Sequence, residues 1–289
     1  MFRRQIHALA LTAVAATTAA GLALIATPAA NADSHKDGSL PPTELMGDGP
    51  TPIPLKHMAR LTVSDWGYRY TAGQQNSKLT ITEVDGGLLY VDTGTERWRK
   101  VDDKPEIPKT CEVRSVSKGI SAWCSIPYQW SGDETMFLEV WTRLGNDTVD
   151  GSTLSAKYRM WVLADWGNDT VYTGDGDDFV NGARGRDRVD TGAGDDWARG
   201  GKGRDVVDGG PGDDRLLGQQ LKDALHGGDG DDKVYGGPGP DSLWADGGKD
   251  RLVCGTGPDN AWVDDDDSSP QCESVTHTKF TTGRVSHRG

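Results

Sequence analysis

Residues 164–262 divide without a gap into eleven successive units of nine. Position six of every unit is Asp: Asp169, Asp178, Asp187, Asp196, Asp205, Asp214, Asp223, Asp232, Asp241, Asp250 and Asp259. Position four is Gly in ten units, with Leu221 the exception, and position two is Gly in seven. Position eight is apolar in all eleven, from Val171 and Val180 to Leu252 and Ala261. Three columns in one register leave few folds open. A unit this short supplies one apolar side chain, which cannot form a core alone. Stacked units line those side chains into a continuous ladder, and the glycines permit loop conformations closed to other residues.

A second period lies over the first. Position five is Asp in every second unit, at Asp177, Asp195, Asp213 and Asp231, while the intervening units carry Arg186, Arg204, Lys222 and Pro240. Such alternation is expected if two units make one turn, so that loops two units apart stack and loops one unit apart lie on opposite edges. One edge then pairs Asp with Asp, and the other pairs each position-six Asp with a cation. The alternative for position five is a solvent-facing side chain that only sets surface charge. Stacking lays Asp over Asp at about 5 Å, the strand spacing. Like charges so close repel unless a cation lies between them. Carboxylates and main-chain carbonyls are hard oxygen donors, which suit calcium. No His or Cys recurs in the array, which argues against zinc, copper or iron, and magnesium demands a tighter cage.

The array resembles the RTX nonapeptide repeat, G-G-x-G-x-D-x-U-x with U a large apolar residue. The resemblance covers about a third of the chain. It implies an all-β fold, a two-sided parallel β-roll, with Ca2+ held between stacked loops by the eleven position-six Asp. An outlying copy, Gly145-Asn146-Asp147-Thr148-Val149, precedes the array, and the step from Gly145 to Gly167 is not a multiple of nine. The wider layout is similar to secreted bacterial hemolysin-type calcium-binding proteins. Leu221 is expected to leave a weak or empty site on the basic edge. Folding is expected to depend on calcium, with disorder in its absence.

The rest of the chain divides by composition. Residues 1–32 read as a signal peptide, with Arg3 and Arg4, an apolar run, and a small-x-small cleavage signal at Ala30-Asn31-Ala32. Residues 33–56 are a Pro- and Gly-rich linker. Residues 57–141 read as a small N-terminal β domain: Leu79-Thr80-Ile81-Thr82-Glu83-Val84 alternates, Gly86-Gly87 marks a turn, and further strands are expected at 111–116, 122–126 and 136–141. Residues 142–163 hold the outlying copy and an insertion. Residues 263–289 read as an acidic cap, with Asp264 to Asp267 in succession as a solvated cap or a terminal half-site, followed by a sparse basic tail. The four Cys permit three pairings. The local pairs Cys111 with Cys124 and Cys254 with Cys272 are expected, with a Cys-based zinc site as the alternative.

Composition narrows the function. The chain has 36 Asp but only 8 Glu, and a net charge of −13. That acidity argues against nucleic acid and anionic membranes as partners. No second apolar run is long enough to span a bilayer. The six His are scattered, and there is no H-E-x-x-H, G-x-S-x-G or P-loop, so no catalytic residues are assigned and no enzyme is expected. Calcium ions are the expected partner. The alternative is an adhesion module that grips a cell-surface glycan or protein through aromatics, Phe179 and Trp197 at position seven and Tyr172, Trp244 and Trp262 at position nine, although the same rings suit shielding the short strands or capping the roll.

Overall fold

The computed structural model describes residues 57–278, apart from 65, 102, 103, 133 and 270. The expected signal peptide, the linker at 33–56 and the tail beyond 278 lie outside the described residues. Among the described residues the chain is almost entirely β, with one 3-10 turn at Tyr128–Trp130. No helix among them is long and apolar enough to cross a membrane.

Every unit of the array places a short strand at positions seven to nine, and position eight turns inward. Val206–Pro211 pairs in parallel with Ala224–Asp229, setting Val207 beside Leu225. Arg215–Gln220 pairs in parallel with Lys233–Pro238, setting Leu216 beside Val234. Partners within the array stand two units apart, so two units make one turn, as the position-five alternation requires. Odd units join a 12-stranded sheet and even units a 10-stranded one. Between the sheets Val207, Leu216, Leu225, Val234, Leu243 and Leu252 are fully buried. Each such side chain contributes roughly 1.5–3 kcal/mol of burial. The fold is a parallel β-roll.

The roll continues upstream of the array. Thr148–Asp150 pairs in parallel both with Thr170–Tyr172 and with Lys78–Val84. Met136–Trp141 pairs in parallel both with Tyr158–Leu163 and with Gly67–Thr71. Strands from 57–141 thus share both sheets with the repeats, and the change of sequence text near residue 142 is not a break in the sheets. Beyond them the pairing turns antiparallel: Lys78–Val84, Gly87–Asp92, Ile120–Ser125 and Cys111–Val113 follow one another across the sheet. The turn between the first two uses Asp85 and Gly86, with φ of 51° and 72°, and not Gly86-Gly87. A two-residue hairpin turn of this kind needs positive φ at both central positions. Gly87 already pairs with Val84 in the strand.

Disulfides join Cys111 to Cys124 and Cys254 to Cys272, the two local pairs. All four sulfurs are used, which leaves no thiolate for zinc. At the far end Ser274–His277 adds a last, exposed parallel strand beside Asn260–Val263.

Candidate metal centre

All eleven position-six Asp are buried, none more than 3% exposed. The roll brings them into two files, one on each edge. Within a file each Oδ1 accepts a hydrogen bond from a main-chain N–H one turn earlier, that of the preceding Asp except at Asp178, which accepts from Met160 N–H at 2.6 Å. Asp187 accepts from Asp169 (2.8 Å), Asp205 from Asp187 (2.9 Å), Asp223 from Asp205 (2.9 Å) and Asp241 from Asp223 (2.9 Å). On the opposite edge Asp196 accepts from Asp178 (2.6 Å), Asp214 from Asp196, Asp232 from Asp214 and Asp250 from Asp232, the last three at 2.8 Å. The other oxygen of each carboxylate is left over. Oδ2 is buried with no hydrogen-bond partner in ten of the eleven, Asp178 being the exception through Gly174 N–H at 3.2 Å.

A buried carboxylate need not look like this. Asp92 is 1% exposed and fully served. Its Oδ1 accepts from the N–H of Lys78, Gly94 and Thr95, and its Oδ2 from the hydroxyls of Tyr70, Ser77 and Thr95. The files have no such donors, and an ionised, half-satisfied carboxylate in a dry site is costly. Burial therefore pushes Asp187, Asp223 and Asp232 up to about 8, Asp214 up to about 7 and Asp205 up to about 6. Asp196 rises to about 10 because Asp178 and Asp214 add like charge to its burial. The metal-free roll needs protons or cations along both files.

The free oxygens face a cradle. A Cβ built on Gly182, Gly218, Gly227 or Gly236 would lie 2.5–2.8 Å from Oδ2 of the Asp in the same loop and 2.5–2.7 Å from a carbonyl oxygen of the next turn. Glycine at position one keeps open a small space where carboxylate and carbonyl oxygens meet. Among the described residues no three His, Cys, Asp or Glu side chains converge on one point. An ion held here must draw its remaining oxygens from the main chain, which suits a hard cation. The donor set fits calcium.

The repeats carry the same signature in comparison with known families. A family model described as the RTX calcium-binding nonapeptide repeat (4 copies) matches residues 163–198, 190–225 and 226–261. Residues 163–261 are RTX repeats. No curated protein matches the chain, and no solved structure does.

The RTX files reach beyond the array at both ends. Asp169 Oδ1 accepts from Asp147 N–H at 2.7 Å, and Asp147 Oδ1 in turn accepts from Ser77 N–H at 2.5 Å. Asp147 Oδ2 is another buried oxygen without a partner, and burial pushes this group up to about 8. The outlying copy at 145–149 signalled it, but the extra length of that turn hid the register. At the other end Asp267 accepts from Asp250 N–H at 2.9 Å and from Asp264 N–H at 2.6 Å, closing the acidic file.

Position five separates the two edges. Asp177, Asp195, Asp213 and Asp231 accept from the N–H one turn later, at 2.9–3.2 Å. Asp195, Asp213 and Asp231 are exposed, so they both tie the loops together and set surface charge. Leu221 holds φ of 79°, in the region that favours glycine, and is 60% exposed. The carboxylate file nevertheless runs through Asp223 unbroken.

The aromatics take the shielding role. Phe179 and Trp197 stack edge to face at 5.1 Å but are 2% and 6% exposed, covered in a second apolar cluster with Leu163, Trp161 and Trp141. Trp244 lies face to face between His226 (4.2 Å) and Trp262 (4.5 Å). Both faces of Trp244 are thereby occupied. These rings shield sheet surface and offer little platform for a sugar.

Proposed function

We propose that this is a secreted calcium-binding protein whose roll closes as calcium ions are taken up between stacked loops. Asp169, Asp178, Asp187, Asp196, Asp205, Asp214, Asp223, Asp232, Asp241, Asp250 and Asp259 are the carboxylate ligands, with Asp147 extending the file. The observation that carries this reading is the row of buried Oδ2 atoms without partners, facing carbonyl oxygens across a gap that glycine keeps open. Bound calcium replaces the protons that burial otherwise demands, so binding and folding are one event. Millimolar external calcium is the range in which weak extracellular sites work. The sequence of residues 1–32 supports export, and the absence of catalytic motifs supports a non-enzymatic role.

Ions on the edge lined by Asp177, Asp195, Asp213 and Asp231 are the tighter ones, because additional carboxylates surround them. The Leu221 loop lies on the opposite edge and holds calcium weakly. A calorimetric titration distinguishes the edges. Asp196→Asn/Asp214→Asn/Asp232→Asn should remove the high-affinity part of the isotherm. Asp187→Asn/Asp205→Asn/Asp223→Asn should remove the weaker part. Identical losses from the two variants would count against the asymmetry.

A further inference from the structure

The basic edge carries a second kind of site. In the loops 182–187, 200–205 and 218–223, Arg184, Arg186, Lys202, Arg204 and Lys222 outnumber three carboxylates, Asp187, Asp205 and Asp223. On the opposite edge the loops 173–178, 191–196, 209–214 and 227–232 contain ten Asp and no cation. The adjoining loop 164–169 adds Asp165 and Asp169, but the position-six Asp are buried while Arg186, Lys202, Arg204 and Lys222 are exposed, so the surface of this edge is basic in a chain of net charge −13.

Two further features mark this edge. On the acidic edge each position-five N–H is accepted by the Asp one turn earlier. On the basic edge the same arrangement begins, with Asn168 N–H bonded to Asn146 and Arg186 N–H bonded to Asn168, both at 2.8 Å. It then stops, because Arg186 and Arg204 offer no acceptor to the next turn. Position five of these turns thus presents Arg186, Arg204 and Lys222, all exposed, in place of an acceptor. Exposed cations therefore stand together over three turns spaced about 5 Å apart. The second feature is Trp166, bridged to Arg184 at the start of the same column and 49% exposed. Arg184 lies over its ring at 4.3 Å.

We propose that this edge, formed by Trp166, Arg184, Arg186, Lys202, Arg204 and Lys222, binds an acidic polysaccharide. Its sulfate or carboxylate groups meet the exposed cations, and a sugar ring packs on the exposed part of Trp166. Nucleic acid fits less well. Its charge, about one per 1.7 Å of duplex, would meet the acidic remainder of the molecule. Calcium taken up beside these loops adds positive charge to the edge, a contribution that rests on the function proposed above.

Heparin oligosaccharide of defined length, titrated into the protein at saturating calcium, tests the site. Far-UV dichroism on the same samples reports calcium-dependent folding separately, so failure of the calcium reading and failure of the glycan reading look different. Heparin should bind, and a neutral chito-oligosaccharide should not. Arg186→Gln/Arg204→Gln/Lys222→Gln should weaken binding at least tenfold and reduce the slope of log K against log salt by about three. Arg204→Gln alone should reduce that slope by about one. Trp166→Ala should weaken binding with the slope unchanged. Lys233→Gln/Arg251→Gln, on the outer face of the 10-stranded sheet, should bind as the parent does. The proposal is overturned if folded protein ignores heparin, or if the triple variant binds within twofold of the parent. Equal binding of a single-stranded oligonucleotide, or a loss in the triple variant of calcium-dependent self-association in place of heparin binding, would overturn it as well.

Discussion

In metal-free buffer, acid should fold the roll instead of unfolding it. The position-six carboxylates have ordinary affinities for protons in the unfolded chain, near 4. In the roll, burial pushes Asp205 and Asp241 up to about 6, Asp214 up to about 7, several neighbours up to about 8 and Asp196 up to about 10. A group whose folded value is raised stabilises the fold fully below its unfolded value, and that stabilisation is lost as pH rises through the folded value. The window therefore opens near pH 4 and closes between about 6 and 10. Protein stripped of calcium should gain far-UV β signal as pH falls from about 8 toward about 4.5, from a minor to a major folded fraction. Saturating calcium should flatten the dependence across that range, because ions then do what protons did. A folded fraction that falls steadily with acid in metal-free buffer would show that the buried carboxylates are not what opposes closure.

The backbone sets a second large effect. Gly185 has φ of 145° and stacks directly on the loop one turn before, so that a Cβ would fall on the carbonyl oxygen of Gly167. That oxygen is main chain and cannot swing aside. Gly185→Val combines an unfavourable backbone with a collision, and should cost about 3 kcal/mol or more in saturating calcium. Gly86 supplies the contrast. Its φ of 72° lies near the left-handed region that other residues reach at modest cost, and nothing lies within 4 Å of its missing Cβ. Gly86→Ala should cost only about 1 kcal/mol. Urea midpoints of the two variants measure the difference, and equal losses would mean that stacking distance is not what makes position four glycine.

The core of this architecture can be read in the sequence because one period governs both packing and charge. Val207 and Leu225 share a column for the reason that Asp205 and Asp223 do: one full turn of two units returns both to the same place. Where the period slips, the reading fails. Asp147 belongs to the same file as Asp169, but its turn is longer than those of the array, and Ser77, the donor before it, lies far back in the chain. The strands around Tyr68 and Tyr70 resemble a separate β region because one partner, Met58–Val63, is adjacent, while the partner that joins them to the roll, Met136–Trp141, lies far along the chain. The aromatics show a different limit. Position seven faces outward in the array, yet Leu163, Trp161 and Trp141, from strands upstream of the repeats, cover Phe179 and Trp197. Residue pattern gives the direction of a side chain and not what lies over it.

Closure of stacked acidic loops by calcium is tested most directly by far-UV dichroism at neutral pH, on protein dialysed exhaustively against chelator and then titrated with calcium. Calcium-dependent closure predicts little β signal at the start and a cooperative gain as the ion is added, with magnesium a poor substitute. A compact, unchanged β spectrum in chelator at neutral pH would contradict it.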